Sequence, residues 1–204
     1  MDYEDTFSPV VKPPNVRHVL SLAVSLNWPL RQLDVRNAFL HGTLQEEVYM
    51  AQPPGYVHPQ LPNHVCRLHK SLYGLKQASR AWFESFTGQL LHLGFTASST
   101  DCSLFIFQDK QVTTYLLLYV DDMVLTSNTP AYLDQLIKSL SSMFELKDLG
   151  PLSYFLGLQV TRTFQEEPFK VYTSAKPNMR QTYSLSTTCL TLNQPEPLAV
   201  PILV

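Results

Sequence analysis

The stretch Leu116-Leu-Leu-Tyr-Val-Asp-Asp-Met-Val-Leu-Thr126 sets two adjacent aspartates, Asp121 and Asp122, between two strongly apolar runs. Apolar runs on either side of a short polar turn are typical of a β-hairpin. One interpretation of the aspartate pair is a charged turn that faces water. The other is a metal site, because adjacent carboxylates repel each other unless a cation offsets their charge, and divalent cations prefer hard oxygen ligands.

A third carboxylate, Asp34, lies near the end of a different predicted strand, residues 30–35. Taken alone, it is equally well explained as a residue that caps the following turn. If its strand lay beside the hairpin, three aspartates would converge at one end of a sheet. Three carboxylates can hold two Mg²⁺ about 3.5–4 Å apart for in-line displacement at phosphorus. The sequence alone leaves that adjacency open.

The pattern around these residues predicts an α+β fold. Apolar residues at helical spacing predict helices over residues 13–26, 79–93 and 130–143, the last with Thr129 as its N-cap and Pro130 at its first position. The predicted strands follow one another through short turns such as Asp109-Lys110, as well as through helices. This order favours an antiparallel sheet with helices packed on one face.

Composition limits the classes of function. The 204 residues are 45% hydrophobic and carry a formal net charge of −2, which excludes a wholly disordered chain and any global positive field that would attract nucleic acid. The three cysteines are dispersed, so we expect no disulfide framework and no zinc site. The acidic first residues and the short longest apolar run, residues 115–120, predict an intracellular protein without signal peptide or transmembrane segment.

A local cluster of basic residues is the candidate contact for a polyanion. It contains Arg67, His69, Lys70, Lys76 and Arg80. A solvated basic face explains the same pattern. The neighbouring residues 74–79 lack the spacing of a Walker-type phosphate loop, and no H-E-x-x-H or G-x-S-x-G motif occurs.

Five separated segments together resemble the reverse transcriptase of copia-type long-terminal-repeat retrotransposons, in that family's order and spacing. They are DYEDTFSPVVKP (2–13), WPLRQLDVRNAFLHGTLQEEVYMAQPPGY (28–56), CRLHKSLYGLKQASRAWF (66–83), LLLYVDDMVLT (116–126) and FELKDLGPLSYFLGLQV (144–160). The resemblance covers residues 2–163. It implies the palm and part of the fingers of a right-handed polymerase.

The resemblance also implies an activity and its residues. The activity is RNA-directed DNA polymerisation, a two-metal nucleotidyl transfer to a primer 3′-hydroxyl, with Asp34, Asp121 and Asp122 as catalytic, metal-binding residues. The cofactor would be two Mg²⁺, with Mn²⁺ as a substitute. The substrates would be deoxynucleoside triphosphates and an RNA or DNA template with its primer.

Further roles are carried over to matching positions. The nucleotide-binding candidates are Phe39, which would exclude a 2′-hydroxyl by its bulk, together with Tyr73, Gly74 and Lys76. The nucleic-acid-binding candidates are Tyr119 beside the primer end, the basic residues Arg67, Lys70 and Arg80, and Tyr154 and Gly157 of a primer-gripping hairpin.

The predicted organisation is a partial reverse transcriptase domain, residues 1–163, followed by a divergent, disordered tail, residues 164–204. A shifted reading frame beyond about residue 170 is one hypothesis for the tail. The family context implies integrase and RNase H regions of a polyprotein, absent here, and a cytoplasmic virus-like particle. Because most of the fingers and the thumb are expected to be missing, a catalytically inactive remnant, inert or weakly nucleic-acid-binding, stays an alternative. A metal-dependent phosphohydrolase would use the same carboxylates.

Overall fold

The computed structural model describes residues 9–161, 170–173 and 181–183. The chain forms two compact units, Met1–Ser153 and Tyr154–Val204. The elements in chain order are α1 (Pro13–Ser25), β1 (Leu30–Val35), a 3₁₀ turn (Ala38–His41), β2 (Thr43–Ala51), β3 (Val65–Lys70), α2 (Ala78–His92), β4 (Thr96–Ala97), β5 (Leu104–Asp109), β6 (Val112–Tyr119), β7 (Asp122–Ser127), α3 (Pro130–Met143), β8 (Leu146–Pro151), β9 (Tyr154–Phe155), β10 (Leu158–Thr161), β11 (Lys170–Thr173) and β12 (Gln181–Tyr183). None of the helices in the described ranges is long and apolar enough to cross a bilayer.

A six-stranded antiparallel sheet in the order β4-β5-β6-β7-β1-β8 is the framework of the first unit. Strands β5, β6 and β7 follow one another as a meander, as the sequence predicts. Strand β1 comes from much earlier in the chain and inserts between β7 and β8. The sheet therefore depends on pairings between residues that are far apart in sequence.

The main hydrophobic core lies between one face of this sheet and helices α2 and α3. Because side chains alternate along a strand, every second residue of β1, β6 and β7 reaches this core. The sheet contributes Leu33, Val35, Leu116, Leu118, Met123 and Leu125, and the helices contribute chiefly Trp82, Phe86, Leu90, Leu133, Leu136, Ile137 and Leu140. The predicted packing of helices against one face is therefore present for α2 and α3.

The middle of the opposite face of the sheet is also buried, so burial is not confined to the one face that the sequence predicts to be covered by helices. Leu117 and Val124 project to that face and are 0% exposed. Trp28, which follows α1, stacks on Tyr115 of the same face with ring centroids 6.2 Å apart. The continuous apolar run at the end of β6 is explained by this burial on both sides, since a strand with one wet face would alternate.

Thr129 is the N-cap residue of α3, as predicted, but its hydroxyl accepts no hydrogen bond from the helix and instead donates to Asn128 Oδ1 at 3.0 Å. The chain after β1 forms the 3₁₀ turn, preceded by Asn37 in the left-handed conformation (φ 52°). Asparagine tolerates this conformation better than most residues.

The second unit contains a four-stranded antiparallel sheet in the order β12-β11-β10-β9. Leu156 and Gly157 join β9 to β10 with φ of 48° and 81°, as a two-residue type I′ hairpin requires. Strands β11 and β12 fall inside the predicted tail. The rest of residues 164–204, and with it the prediction of disorder, lies outside the described residues.

Gly42 allows the 3₁₀ turn to approach the start of α2 closely. A Cβ at this position would lie 2.7 Å from both the Ser71 hydroxyl and the Trp82 backbone nitrogen. Its φ of −71° is open to any residue, so the restriction is purely steric. Gly88, inside α2, has no atom within 4 Å of such a Cβ and provides a control.

We expect Gly42→Ala to lower the free energy of unfolding by about 1–3 kcal/mol, because the backbone of α2 must move to admit a methyl group. Gly88→Ala should raise it by about 0.5–1 kcal/mol through helix propensity. Urea denaturation of both variants measures the difference. Equal effects from the two substitutions would contradict the steric explanation.

Asp101 connects the start of α1 to the loop before β5. It is 4% exposed and accepts hydrogen bonds from the backbone nitrogen of Lys12 (2.8 Å), from Asn15 Nδ2 (2.8 Å) and from the backbone nitrogen of Ser103 (3.0 Å). Burial by itself would raise the pKa of this carboxyl. The hydrogen bonds from Lys12, Asn15 and Ser103, with the charge of Lys12, outweigh it and lower the pKa below its ordinary value.

Asp101→Asn should cost about 1–3 kcal/mol at neutral pH, because the amide leaves a buried donor without its acceptor. A lowered carboxyl pKa stabilises the folded state above the unfolded-state pKa, and this contribution is lost as pH falls through the folded-state pKa. The stability difference between wild type and variant should therefore shrink below about pH 4. Exposed Asp109→Asn is the control. A difference that stays constant with pH would contradict the assignment.

Candidate active site

Asp34 and Asp122 lie directly opposite each other on paired antiparallel strands. Strand β1 pairs with β7 so that Leu33 faces Met123 and Asp34 faces Asp122. Directly paired residues project to the same face of a sheet, with Cβ atoms about 4.5–5.5 Å apart. Asp121 is the neighbouring residue in the β6–β7 turn. The adjacency that the sequence left open is thus present in the fold.

Tyr119 shares this face. It ends β6 and pairs with Asp122 across the hairpin, so that Asp122 has a partner on each side, Tyr119 on β6 and Asp34 on β1. Asp122 therefore lies between Tyr119 and Asp34 in a row that crosses β6, β7 and β1.

The turn that carries Asp121 is held by two hydrogen bonds to its backbone carbonyls. The backbone nitrogen of Val35 donates to the Asp121 carbonyl at 2.9 Å, and Trp82 Nε1 donates to the Val120 carbonyl at 2.7 Å. Val120 has φ of 55°, the left-handed region that a β-branched residue rarely adopts. These bonds compensate for an unfavourable local backbone.

The negative charges of this site act on one another. The pKa of Asp122 is raised, first by its partial burial, then by the negative charges of Asp121 and Asp34, while a hydrogen bond from the Gln32 side chain partly opposes the rise. Burial, followed by the charges of Asp121 and Asp34, likewise raises the pKa of the Tyr73 phenol, although this side chain is 58% exposed. The three carboxylates and Tyr73 therefore belong to one electrostatic site.

This donor set fits a hard divalent cation. Three carboxylates with mutual repulsion supply oxygen ligands and a negative potential that a cation would relieve. Within the described ranges, no three His, Cys, Asp or Glu side chains are already gathered as a complete metal site. The fit is therefore one of donor chemistry and strand register, with Asp34 opposite Asp122 and Asp121 in the adjoining turn.

Phe39 and Tyr73 form an aromatic pair next to the carboxylates. Phe39 lies in the 3₁₀ turn that follows β1, and its ring centroid is 4.4 Å from that of Tyr73. The hydroxyl of buried Ser71 donates to the Phe39 carbonyl, which fixes the turn against the chain that leads to Tyr73. Gly74 follows with φ of 94°, a conformation that favours glycine.

Lys76 occupies a different environment from Phe39 and Tyr73. It lines an open pocket of about 490 Å³ whose walls come from β2 and from the chain before α2. The lining includes Glu46 and Glu47, and none of the three aspartates is part of it. The structure therefore pairs Phe39 with Tyr73, whose phenol is influenced by the charges of Asp34 and Asp121, and places Lys76 in this pocket.

The basic cluster is partly neutralised within the chain. Arg67 forms an ion pair with Glu47 at 3.0 Å and Arg80 with Glu84 at 2.8 Å, while Lys70 Nζ donates to Thr43 Oγ1 at 3.2 Å. Exposed pairs of this kind contribute little to stability, and their cations can exchange partners. Tyr154 and Gly157 belong to the second unit, in and beside the β9–β10 hairpin.

Sequence reasoning missed three residues of this site. Trp82 is recognisable from helical spacing only as a core residue, because nothing in the sequence indicates its bond to Val120. Gln32 is two residues before Asp34 and so on the same strand face, a signal that strand periodicity offers. Lys147 of β8 pairs with Asp34 on the side away from Asp122, and only the strand order identifies that register.

Removing the negative charge of Asp34 should change the titration of the Asp122 carboxyl. We expect Asp34→Asn to lower the pKa of Asp122, because the charge of Asp34 helps to raise it. Carbon-detected NMR titration of the Asp122 carboxyl measures this directly. Asp109→Asn, at the end of β5 and away from the β6–β7 turn, is the matched control and should leave the Asp122 titration unchanged. A titration unaffected by Asp34→Asn would contradict the proximity of the two carboxylates.

Comparison with known proteins identifies the family. A family model described as "Reverse transcriptase (RNA-dependent DNA polymerase)" matches residues 1–179. The chain is 50% identical over 162 residues to the retrovirus-related Pol polyprotein from transposon RE1 of Arabidopsis thaliana, which covers 79% of the chain and 11% of that protein. It is 42% identical over 163 residues to the corresponding polyprotein from transposon TNT 1-94 of Nicotiana tabacum, covering 79% of the chain and 12% of that protein.

More distant relatives include the transposon Ty1-H Gag-Pol polyprotein of Saccharomyces cerevisiae, 32% identical over 152 residues, which covers 72% of the chain and 8% of that protein. The chain thus spans only about a tenth of the length of these polyproteins. No solved structure gives a significant match. The copia-type resemblance is consistent with these relatives, and the chain belongs to the reverse transcriptase family, as a segment similar to the Pol polyproteins of long-terminal-repeat retrotransposons.

Proposed function

We propose that this chain carries the catalytic palm, with part of the fingers, of an RNA-directed DNA polymerase that extends a primer by nucleotidyl transfer. The observation that supports this proposal above all others is the direct pairing of Asp34 with Asp122, with Asp121 in the adjoining turn. A surface-exposed aspartate turn would not need a third carboxylate from a strand almost ninety positions away in the sequence.

In this proposal Asp34, Asp121 and Asp122 hold two Mg²⁺, or Mn²⁺ in its place. Bound there, the ions would lower the pKa of the primer 3′-hydroxyl and stabilise the charge on the pyrophosphate leaving group. The chain's own contribution is to fix the carboxylates from two strands. The pKa of Asp122, raised first by burial and then by the charges of Asp121 and Asp34, reflects a negative charge that the cations would neutralise.

The aromatic residues would then line the site of the incoming nucleotide. Phe39 and Tyr73, whose rings are in contact with each other, would bound the sugar of an incoming deoxynucleoside triphosphate, with Phe39 excluding a 2′-hydroxyl by its bulk. Tyr119, paired with Asp122, would lie beside the primer end. Gly74 and Lys76 would shape the nucleotide and template pocket.

The remaining roles are proposals of the same kind. Arg67, Lys70 and Arg80 would contact the phosphates of template and primer after exchanging their internal partners, and Tyr154 and Gly157 would grip the primer. The natural context would be a polyprotein with integrase and RNase H regions, working in a cytoplasmic virus-like particle. Because positioning supplies much of such catalysis, the turnover of this segment alone should be low.

Primer extension tests the function. The purified chain is incubated with an RNA template, a labelled DNA primer, deoxynucleoside triphosphates and Mg²⁺. We expect slow extension that falls more than about a hundredfold in Asp122→Asn, since loss of a metal ligand removes several kcal/mol of transition-state stabilisation. Asp109→Asn makes the same chemical change at the end of strand β5 and should retain wild-type extension.

Each outcome separates the alternatives. Extension that survives Asp122→Asn would contradict the assigned site. A folded wild-type chain that extends no primer would instead support the catalytically inactive remnant. Cleavage of a generic phosphodiester, abolished by Asp34→Asn and without primer extension, would support the phosphohydrolase.

A further inference from the structure

We infer that Trp82 is a positioning residue for the candidate active site: its indole N–H holds the Val120 carbonyl and so fixes the turn that presents Asp121 and Asp122. This inference rests on the proposed function for its consequence at the metal site. It concerns a residue that touches neither metal nor substrate and acts through the backbone of the turn.

The turn between β6 and β7 has a conformation that its own sequence disfavours. Val120 and Asp121 are the two residues between the paired Tyr119 and Asp122. A two-residue hairpin loop whose first residue has positive φ is normally built with glycine at that position. Here the position is Val120, with φ of 55°, and a β-branched residue in this region is strained. Such a conformation persists only where the surroundings hold it.

The surroundings supply a donor at the strained residue. Trp82 Nε1 lies 2.7 Å from the Val120 carbonyl oxygen, a good hydrogen-bond distance. Trp82 is 1% exposed, so its N–H has no access to bulk water. If the bond to Val120 were broken, the N–H would become an unsatisfied buried donor, with the free-energy penalty that this carries. Losing this hydrogen bond therefore costs more folding free energy than losing a comparable bond at the surface.

The indole ring is itself rigidly placed. Its ring centroid is 5.1 Å from that of Phe86 and 5.4 Å from that of Phe144, the latter in an edge-on arrangement at 88°. The close approach at Gly42 fixes the backbone of Trp82 as well. The donor therefore belongs to a packed core and not to a side chain that could follow a moving turn.

The second carbonyl of the turn is held from the other side. The backbone nitrogen of Val35 donates to the Asp121 carbonyl at 2.9 Å, and Val35 follows Asp34 directly in β1. Helix α2 thus restrains one peptide of the turn, and the strand of the third aspartate restrains the next. Without the bond from Trp82, repulsion among the three carboxylates would act on a turn whose Val120 carbonyl is no longer held by α2.

Trp82→Phe removes the donor and keeps an aromatic ring in the core. The matched control is Trp28→Phe, which makes the same chemical change at the other tryptophan of the chain. Two readouts apply: amide hydrogen exchange at Val35, whose N–H bonds the turn, and Mn²⁺ affinity measured by electron paramagnetic resonance. We expect Trp82→Phe to accelerate the exchange and to weaken Mn²⁺ binding, each by about tenfold, as loss of one buried hydrogen bond implies. Trp28→Phe should change neither.

A second substitution separates positioning from core packing. Val120→Gly lets the turn adopt positive φ without strain. In the Trp82→Phe background it should therefore restore part of the lost Mn²⁺ affinity, whereas a loss caused by a defect in the core would stay. Wild-type affinity in Trp82→Phe, or no recovery in the double variant, would overturn the inference.

Failure of the proposed function would give a different set of results from failure of the inference about Trp82. If Asp34→Asn binds Mn²⁺ as well as wild type does, the proposed metal site is wrong. The exchange of the Val35 amide still decides whether Trp82 holds the turn, because that readout needs no metal. Unchanged exchange in Trp82→Phe would overturn the role of Trp82 whatever the metal result.

Discussion

The pairing of β1 with β7 is the constraint on which the rest of the site depends. It sets Asp34 opposite Asp122, supplies the Val35 N–H to the Asp121 carbonyl, and directs Leu33 and Val35 into the same core as Met123 and Leu125. A slip of one residue would turn the aspartate toward the helices and the leucine toward the site. Burial of the apolar residues therefore selects the register that brings the carboxylates together.

Helix α2 connects this register to the aromatic side of the site. At its start, Trp82 contributes an indole donor to the β6–β7 turn and a backbone that packs closely on Gly42. Gly42 ends the 3₁₀ turn that carries Phe39, and Ser71 ties the Phe39 carbonyl to the chain leading to Tyr73. The carboxylates and the aromatic pair are thus positioned by one packed unit, which explains how a surface of like charges keeps a defined shape.

Much of the fold follows from local pattern. The helices containing Trp82 and Leu133 and the hairpin around Asp121 are predictable because helical spacing and alternating strands repeat within short windows. The neighbour of β1 is not predictable in this way, since the contact joins residues almost ninety positions apart. Burial of both faces of β6 and the Trp82 bond to Val120 were missed for the same reason. The residue pattern singled out the three aspartates, the resemblance to reverse transcriptases implies their metal-binding role, and the structure provides their register.

The central claim is that this register builds a site for divalent cations at Asp34, Asp121 and Asp122. Crystals of the wild-type chain grown with Mn²⁺, measured at a wavelength where manganese scatters anomalously, test it most directly. We expect anomalous peaks in contact with carboxylate oxygens of these three residues, and no such peaks in crystals of Asp34→Asn grown alongside. Manganese bound elsewhere, or unchanged peaks in the variant, would contradict the claim.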